Sequence, residues 1–98
     1  MNPVQLDLDK SGEGHFFIME NGIQTAEMVI AVSGNELTVF HTEVLPDAEN
    51  KGLAKELLTA MVEYARKNKL KVIPLCPYVH AQFKRHPQEY ADVWLQSA

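Results

Sequence analysis

The chain has 98 residues, of which 46% are hydrophobic and 22% are charged, a composition typical of a globular domain rather than of a disordered chain. Its formal net charge is -4 and its basic residues are dispersed, which excludes the electrostatic pattern of a nucleic-acid-binding protein. No apolar run approaches the roughly 18 residues that cross a membrane, and the start MNPVQLDLDK lacks the basic-then-apolar form of a signal peptide.

These properties predict one domain over residues 1–98, located in the cytoplasm, with neither nucleic acid nor a membrane as a partner. The single cysteine, Cys76, cannot form an intrachain disulfide, which fits a reducing compartment. The histidines have no HExxH-type spacing and only this one cysteine to join them, so we expect no metal site.

The first half of the chain predicts four strands joined by turns, because short runs of alternating or β-branched residues are separated by turn-forming pairs. Two such pairs are Asn21-Gly22 and Gly34-Asn35, and Asn-Gly readily takes the positive φ of a tight hairpin. The predicted strands are VQLDLD (Val4–Asp9), GHFFIME (Gly14–Glu20), IQTAEMVIAVS (Ile23–Ser33) and ELTVFHTEVL (Glu36–Leu45). We expect a four-stranded meander.

The fourth predicted strand carries apolar residues on both faces. Strict alternation gives one face with Leu37, Val39, His41, Glu43 and Leu45, and the other with Phe40 and Val44. A strand that is apolar on both faces is typically covered on both sides. We therefore expect this strand to be central in the sheet.

In the second half the apolar residues recur at spacings of three and four from Leu53 to Ala65, and charged residues occupy the other face. This pattern predicts an amphipathic helix packed on the sheet and closed by Asn68-Lys69. Next comes LKVIPLC (Leu70–Cys76), a β-branched run that predicts a strand.

Two more elements are predicted after that strand. PYVHAQFKR begins with Pro77 at a favoured first-turn position of a helix. His86-Pro87 then interrupts the chain, and QEYADVWLQ predicts a last short helix. The strand–helix–strand order most simply makes a right-handed parallel crossover, so the strands 36–45 and 70–76 should be neighbours or near neighbours. The fold class is thus a mixed α/β sheet.

The segment Asp47–Ala54 joins the carboxyl end of the fourth strand to the start of the long helix, a place where α/β sheets collect ligands. The first amides of a helix have no internal partners and favour anions such as phosphate. Gly52 has no Cβ to obstruct an anion, and Lys51 and Lys55 add positive charge nearby. The alternative is an ordinary strand-to-helix turn with solvated lysines.

Two side chains are candidates for chemistry, each with an alternative. Cys76 precedes a predicted helix start, where the helix dipole favours a thiolate, but a free cysteine is also a common small core residue. His41 stands two residues from Glu43, which could fix its tautomer for work as a general base. Equally, its ring nitrogens could be satisfied by the backbone.

Three segments, HTEVLPDAENKGLAKELL, KVIPLCPYV and RHPQEYADVW, resemble the small single-domain branch of the GCN5-related N-acetyltransferases. The resemblance covers nearly the whole chain, and the segments stand in the family's order. It implies a sheet splayed between the strands ending at Leu45 and Cys76, followed by short C-terminal helices, with the pantetheine arm of acetyl-CoA (or coenzyme A) in the split.

The resemblance also assigns residues to that cofactor. Val44 and Leu45 would offer backbone groups to the pantetheine. The residues that would hold the pyrophosphate are Asn50, Lys51, Gly52, Leu53 and Ala54, with the charge of Lys55 nearby. One position departs from the family's Arg/Gln-x-x-Gly-x-Gly/Ala pattern, because Glu49 stands first and would repel an anion.

By the same resemblance Cys76 either accepts the acetyl group or serves as an acid or base, and Cys76 or Tyr78 protonates the leaving thiolate. The acceptor is an unidentified amine. The chain lacks the extra N-terminal helices that wall the acceptor site of larger relatives, which suits a protein or peptide amine. Two alternative functions remain: a non-catalytic coenzyme A-binding or protein-interaction module, and a thiol-based redox or acyl-carrying protein centred on Cys76.

Overall fold

A computed structural model of the protein describes residues 2–96 and contains one five-stranded sheet with strand order β1-β2-β3-β4-β5. Strands β1 to β4 form an antiparallel meander, and β5 pairs parallel to β4. The elements are β1 (Val4–Leu8), β2 (Glu13–Glu20), β3 (Ile23–Ser33), β4 (Glu36–Val44), a 3-10 helix (Pro46–Lys51), α1 (Leu53–Lys67), β5 (Lys71–Pro74) and α2 (Pro77–Arg85). The predicted meander and crossover are confirmed.

Local sequence accounts for the hairpin between β2 and β3. Asn21 and Gly22 both take positive φ, 53° and 79°, the conformation that a two-residue hairpin turn requires. The turn prediction at this pair is confirmed.

Helix α1 packs its apolar stripe on one face of the sheet, as its spacing predicts. Its buried residues are Leu53, Leu57, Leu58, Met61, Val62 and Ala65, and they join one core cluster with Ile18 and Met28 of the sheet. Each fully buried leucine, isoleucine or methionine among them contributes about 2 kcal/mol. Of the residues between 2 and 96, none belongs to a helix long and apolar enough to cross a membrane.

A β-bulge in β4 overturns the expected alternation of its faces. Val39 pairs with Ile30 and His41 pairs with Val29, so Phe40 between them has no partner of its own. An extra residue shifts every later side chain to the opposite face. Phe40 is 48% exposed and His41 is exposed as well.

Two expectations about β4 are therefore wrong. The strand is not covered on both sides, and His41 does not share a face with the buried Leu37 and Val39. Val44, expected opposite those two residues, instead packs against the core. Because a bulge depends on pairing between strands, alternation along one strand does not reveal it.

Strand β5 is shorter than the predicted run and ends at Pro74. Lys71 donates its N–H to the Asn35 carbonyl beside β4, whereas Val72 donates to the Val93 carbonyl on the other side. Leu75 therefore carries the next amide on the β4 side after Ile73, and it donates to the Ile73 carbonyl instead. The next element, α2, begins at Pro77 as predicted.

The predicted last helix over QEYADVWLQ is wrong. The segment forms turns and then an isolated parallel bridge between Trp94 and Val72 of β5. The Val72 N–H donates to the Val93 carbonyl at 2.6 Å, and the Leu95 N–H donates to the Val72 carbonyl at 2.9 Å. Pairing with β5 thus takes up the Val93 carbonyl and the Leu95 N–H, which a longer helix would have bonded internally.

Arg66 near the end of α1 clamps this C-terminal segment. Its Nε lies 2.8 Å from Asp92 Oδ2, and its Nη2 donates to the Glu89 carbonyl at 2.7 Å. The hydrogen bond from Arg66, opposed by some desolvation, holds the pKa of Asp92 below its ordinary value.

We predict a pH-dependent effect of Asp92→Asn on stability. The lowered pKa means that the stabilisation is present above the ordinary aspartate pKa of about 3.9 and is lost as the pH falls through the lowered value. Both side chains are largely exposed, so the effect at pH 7 should be below about 1 kcal/mol, a few degrees in melting temperature.

Thermal melts at pH 7 and pH 3 measure this effect, with Asp7→Asn at an exposed position as the control. The difference in melting temperature between Asp92→Asn and the wild type should be smaller at pH 3 than at pH 7. An equal difference at both pH values would contradict a stabilising contribution from the charged pair.

Candidate functional site

The pairing between β4 and β5 stops halfway along β4. The last paired residues are Val39 and Pro74, whereas β4 continues to Val44. The Leu75 N–H donates to the Ile73 carbonyl instead of to β4, and the bulge at Phe40 bends β4 at the same level. A gap therefore opens between residues 40–44 of β4 and the start of α2.

The backbone of β4 faces this gap in a defined way. The Leu45 N–H donates to the Thr25 carbonyl of β3, and the Leu45 carbonyl accepts from the Ala48 N–H, both at 2.9 Å. Antiparallel pairs alternate between bonded and non-bonded, so the backbone groups of Val44 point away from β3 and toward the gap. Val44 can thus offer both groups to a ligand, whereas the Leu45 amide is already bonded.

The start of α1 lies beyond the carboxyl end of β4. The 3-10 helix carries Asn50 and Lys51, and Gly52 then takes a left-handed φ of 75°. No side chain caps α1, and the Glu56 N–H donates to the Gly52 carbonyl at 3.2 Å. The amides of Leu53, Ala54 and Lys55 precede that bond and remain for water or a ligand.

Gly52 is required by its backbone conformation rather than by crowding. A Cβ at this position would meet no atom of the protein within 4 Å, so the space beside the free amides is open. The left-handed φ is what disfavours other residues there. Open space next to a helix N-terminus fits a phosphate group.

The charges around this helix start are mixed. Lys51 Nζ lies 3.2 Å from Glu20 Oε1, so part of its charge is already balanced within the protein. Asp47 and Glu49 lie in the first turn of the 3-10 helix, whereas Lys55 is exposed on α1. The positive potential here therefore comes mainly from the helix amides and Lys55.

Cys76 lies where the gap closes. It is the N-cap residue of α2, it is 2% exposed, and its N–H donates to the Val39 carbonyl at 2.9 Å. Its Sγ lies 3.2 Å from Thr42 Oγ1, and either atom can be the donor. Sequence reasoning missed Thr42, although it stands inside the HTEV motif beside His41.

Tyr78 stands two residues further, in the first turn of α2. Burial, and then the neighbouring Cys76, raises the pKa of its hydroxyl above the ordinary value of 10.0. The group is therefore protonated at neutral pH. It can donate a hydrogen bond or a proton, but it is a weaker acid than an ordinary tyrosine.

His41 does not meet Cys76. Its Nε2 lies 3.5 Å from Glu43 Oε1, on the exposed side of the sheet. Successive side chains of a strand point to opposite faces, and Cys76 contacts the next residue, Thr42. The structure thus places the two candidate catalytic side chains on opposite sides of β4.

A splayed pair of parallel strands beside an uncapped helix start is an arrangement in which an α/β sheet binds a ligand that carries an anionic group. The model of the GCN5-related N-acetyltransferase family matches residues 15–93, most of the chain. The protein belongs to this family. No protein with a curated description matches the sequence.

Solved structures agree with this assignment. The solution structure of a GCN5-like protein from Staphylococcus aureus superposes with a TM-score of 0.70 and 29% identity, covering 100% of this chain and 94% of that one. A ribosomal-protein-S18-alanine N-acetyltransferase from Escherichia coli shares the fold at a TM-score of 0.62 and 24% identity, over 67% of this chain and 43% of its own. Nourseothricin acetyltransferase also shares the fold, with a TM-score of 0.59, 18% identity and coverage of 85% and 66%.

We predict that the Cys76 thiol is protected in the folded protein. Because it is 2% exposed, iodoacetamide should label it at least about tenfold more slowly in native buffer than in urea, since labelling needs a local opening. Thr42→Ala should speed native labelling by removing the Oγ1 contact. Thr38→Ala, on the same strand, is the control.

Mass spectrometry of the labelled chain measures both rates. Equal rates in native buffer and urea would show that the thiol is accessible without opening, contrary to its burial.

Proposed function

We propose that the protein binds acetyl-CoA and transfers its acetyl group to an amine. The observation that carries this proposal is the gap between β4 and β5, which runs from the free amides at the start of α1 to Cys76. Membership of the GCN5-related N-acetyltransferase family makes acetyl-CoA the expected cosubstrate.

The residues along the gap fit the parts of that molecule. The backbone groups of Val44 would hydrogen-bond the pantetheine, and the partly exposed Leu45 side chain would give it apolar contact. The amides of Leu53, Ala54 and Lys55, beside the open space at Gly52, would hold the pyrophosphate. Asn50 and Lys51 would line the same turn.

Acetyl-CoA supplies an activated acetyl thioester when bound. In one mechanism the Cys76 sulfur would give its proton to the departing coenzyme A sulfur and bond to the acetyl carbon as the thioester bond breaks. The amine would then take the acetyl group and return a proton to the Cys76 sulfur. In the other the amine takes the acetyl group directly, and Cys76 or Tyr78 gives its proton to the departing thiolate sulfur. Thr42 Oγ1, 3.2 Å from Cys76 Sγ, would orient the thiol in both.

His41 would act from the opposite side of β4. An ammonium ion must lose a proton before its nitrogen can attack, and the exposed imidazole near Glu43 can take that proton. This role requires the acceptor to approach from the exposed side of the sheet. The open surface there suits an amine of a protein or peptide, and the single cysteine supports our placement of the protein in the cytoplasm.

A second candidate function is a non-catalytic coenzyme A-binding or protein-interaction module. Two observations favour it: Glu49 stands where the family pattern has Arg or Gln, and Lys51 is paired with Glu20. Both reduce the positive charge available to a pyrophosphate. The two functions differ in whether acetyl transfer occurs.

We predict that acetyl-CoA and coenzyme A, but not ATP, raise the melting temperature. Ligand at about a hundred times its dissociation constant adds roughly 2.7 kcal/mol, a shift of about ten degrees or more for a domain of this size. Gly52→Glu should abolish the shift, because it places a carboxylate beside the free amides of α1.

Gly34→Glu is the matched control. Gly34 also has positive φ and open space around it, but it lies in the β3–β4 turn, so both variants carry similar backbone strain. The control should keep the full ligand shift. A wild-type protein that gives no shift at millimolar ligand would contradict the cofactor site and leave the interaction module as the better reading.

The role of Cys76 is tested by Cys76→Ser and Cys76→Ala, with acetyl transfer to amines measured by release of free thiol. A chemical role predicts at least about a hundredfold loss of rate in both variants, with the acetyl-CoA melting shift retained. Unchanged transfer in both would rule out covalent catalysis by Cys76.

A further inference from the structure

The sheet has an outer face, turned away from α1, that carries a second group of functional side chains. We define it by His15 and Phe17 of β2, Glu27 and Val29 of β3, and Phe40, His41 and Glu43 of β4, none of which is fully buried. The registers place His15, Val29 and His41 in one row across the strands, and Phe17, Glu27 and Glu43 in the next.

A concave region of about 570 Å³ lies on this face, lined in part by Glu13, His15, Glu27, Val29 and Phe40. It adjoins a smaller one of about 100 Å³, which shares Glu27 and is bounded by Glu43 and Leu45. Together we call them the outer cavity. Among the described residues that line it, none is lysine or arginine, so its fixed charge is negative.

One wall of the outer cavity is held in place by a histidine–carboxylate pair. His15 Nδ1 lies 2.6 Å from Glu27 Oε2, and the His15 ring stacks on Phe17 with 4.4 Å between centroids. Both paired side chains are mostly buried. The carboxylate of Glu27 is therefore fixed in orientation, and its Oε1 remains to accept a hydrogen bond from a ligand.

Glu27 lies directly opposite Glu43 on the neighbouring strand. Like charges directly opposite each other on neighbouring strands destabilise a sheet. A cation bound between the two carboxylates would remove this repulsion. Glu43 is only loosely held, with 3.5 Å between its Oε1 and His41 Nε2. The pair is thus arranged to receive a positive group from solvent.

Phe40 supplies the apolar wall. It is 48% exposed on a face that is otherwise largely polar, and it is the extra residue of the β4 bulge, next to the buried Val39. An aromatic ring beside carboxylates is the combination that binds an alkylammonium group, through cation–π attraction and charge-assisted hydrogen bonds. Phe40 also directly follows Val39, where β4 and β5 part.

We propose that the outer cavity binds the side chain of a lysine presented by a peptide or protein, with the ammonium between Glu27 and Glu43 and the methylene chain along Phe40. This inference rests on the proposed function, for which it names the acceptor class. The cavity is larger than one lysine side chain and lies open on the sheet, so flanking peptide residues have room beside it.

The test is an NMR titration of the ¹⁵N-labelled full chain, without acetyl-CoA, at low ionic strength. The probes are the peptide acetyl-Gly-Lys-Gly-amide, the same peptide with norleucine in place of lysine, and spermidine as a free polyamine. The lysine peptide should shift amides of β2, β3 and β4 around the outer cavity, and the norleucine peptide should bind at least about fivefold more weakly.

Substitutions in the outer cavity test whether the lysine peptide binds there. The double variant Glu27→Gln with Glu43→Gln should weaken lysine-peptide binding about fivefold or more, and Phe40→Leu about threefold. Glu63→Gln, exposed on α1, is the matched control and should bind like the wild type. Retained dispersion of the spectrum shows that each variant is folded.

Three results would overturn the proposal: equal binding of the norleucine peptide, unchanged binding in the double variant, or shifts confined to other surfaces. If spermidine bound more tightly than the lysine peptide, the ligand would be a free polyamine and the proposal of a peptide or protein lysine would be wrong. The acetyl-CoA melting shift, measured separately, keeps failure of the cofactor site distinct from failure of the lysine site.

Discussion

The separation of β4 from β5 is the constraint on which the rest of the site depends. Parallel pairing ends at Val39 and Pro74, because the next amide on the β4 side, that of Leu75, donates to the Ile73 carbonyl within its own chain segment. At the same level β4 takes in an extra residue, Phe40. Had pairing continued, the backbone of Val44 would have been bonded to β5 instead of facing a gap.

The gap brings three separate parts of the chain into one line. The Cys76 N–H bonds the Val39 carbonyl and sets α2 at the closed end, while the start of α1 lies at the open end. Between them the backbone groups of Val44 face the gap, where the proposed function places the pantetheine. The fold that holds this backbone geometry tolerates large differences in sequence, since two solved structures share it at 24% and 18% identity.

The bulge also divides the functional side chains between two surfaces. Thr42 contacts the buried Cys76, whereas Phe40 and His41 turn outward beside the pair formed by His15 and Glu27. A donor held in the gap and an acceptor arriving on the outer face would meet across a single strand. Under the proposed function the two surfaces would bind cofactor and acceptor separately, so the two binding steps can be measured independently.

Local pattern alone determined much of the structure. The Asn21-Gly22 hairpin, the helix from Leu53 and the glycine before it follow from turn chemistry and periodicity, which act over a few residues. Resemblance to the family pointed to the split and the Cys76 position. Tertiary structure decided the bulge at Phe40, the bridge of Trp94 to Val72 in place of a helix, and the separation of His41 from Cys76. These features depend on hydrogen bonds between residues distant in the chain, which no local periodicity records.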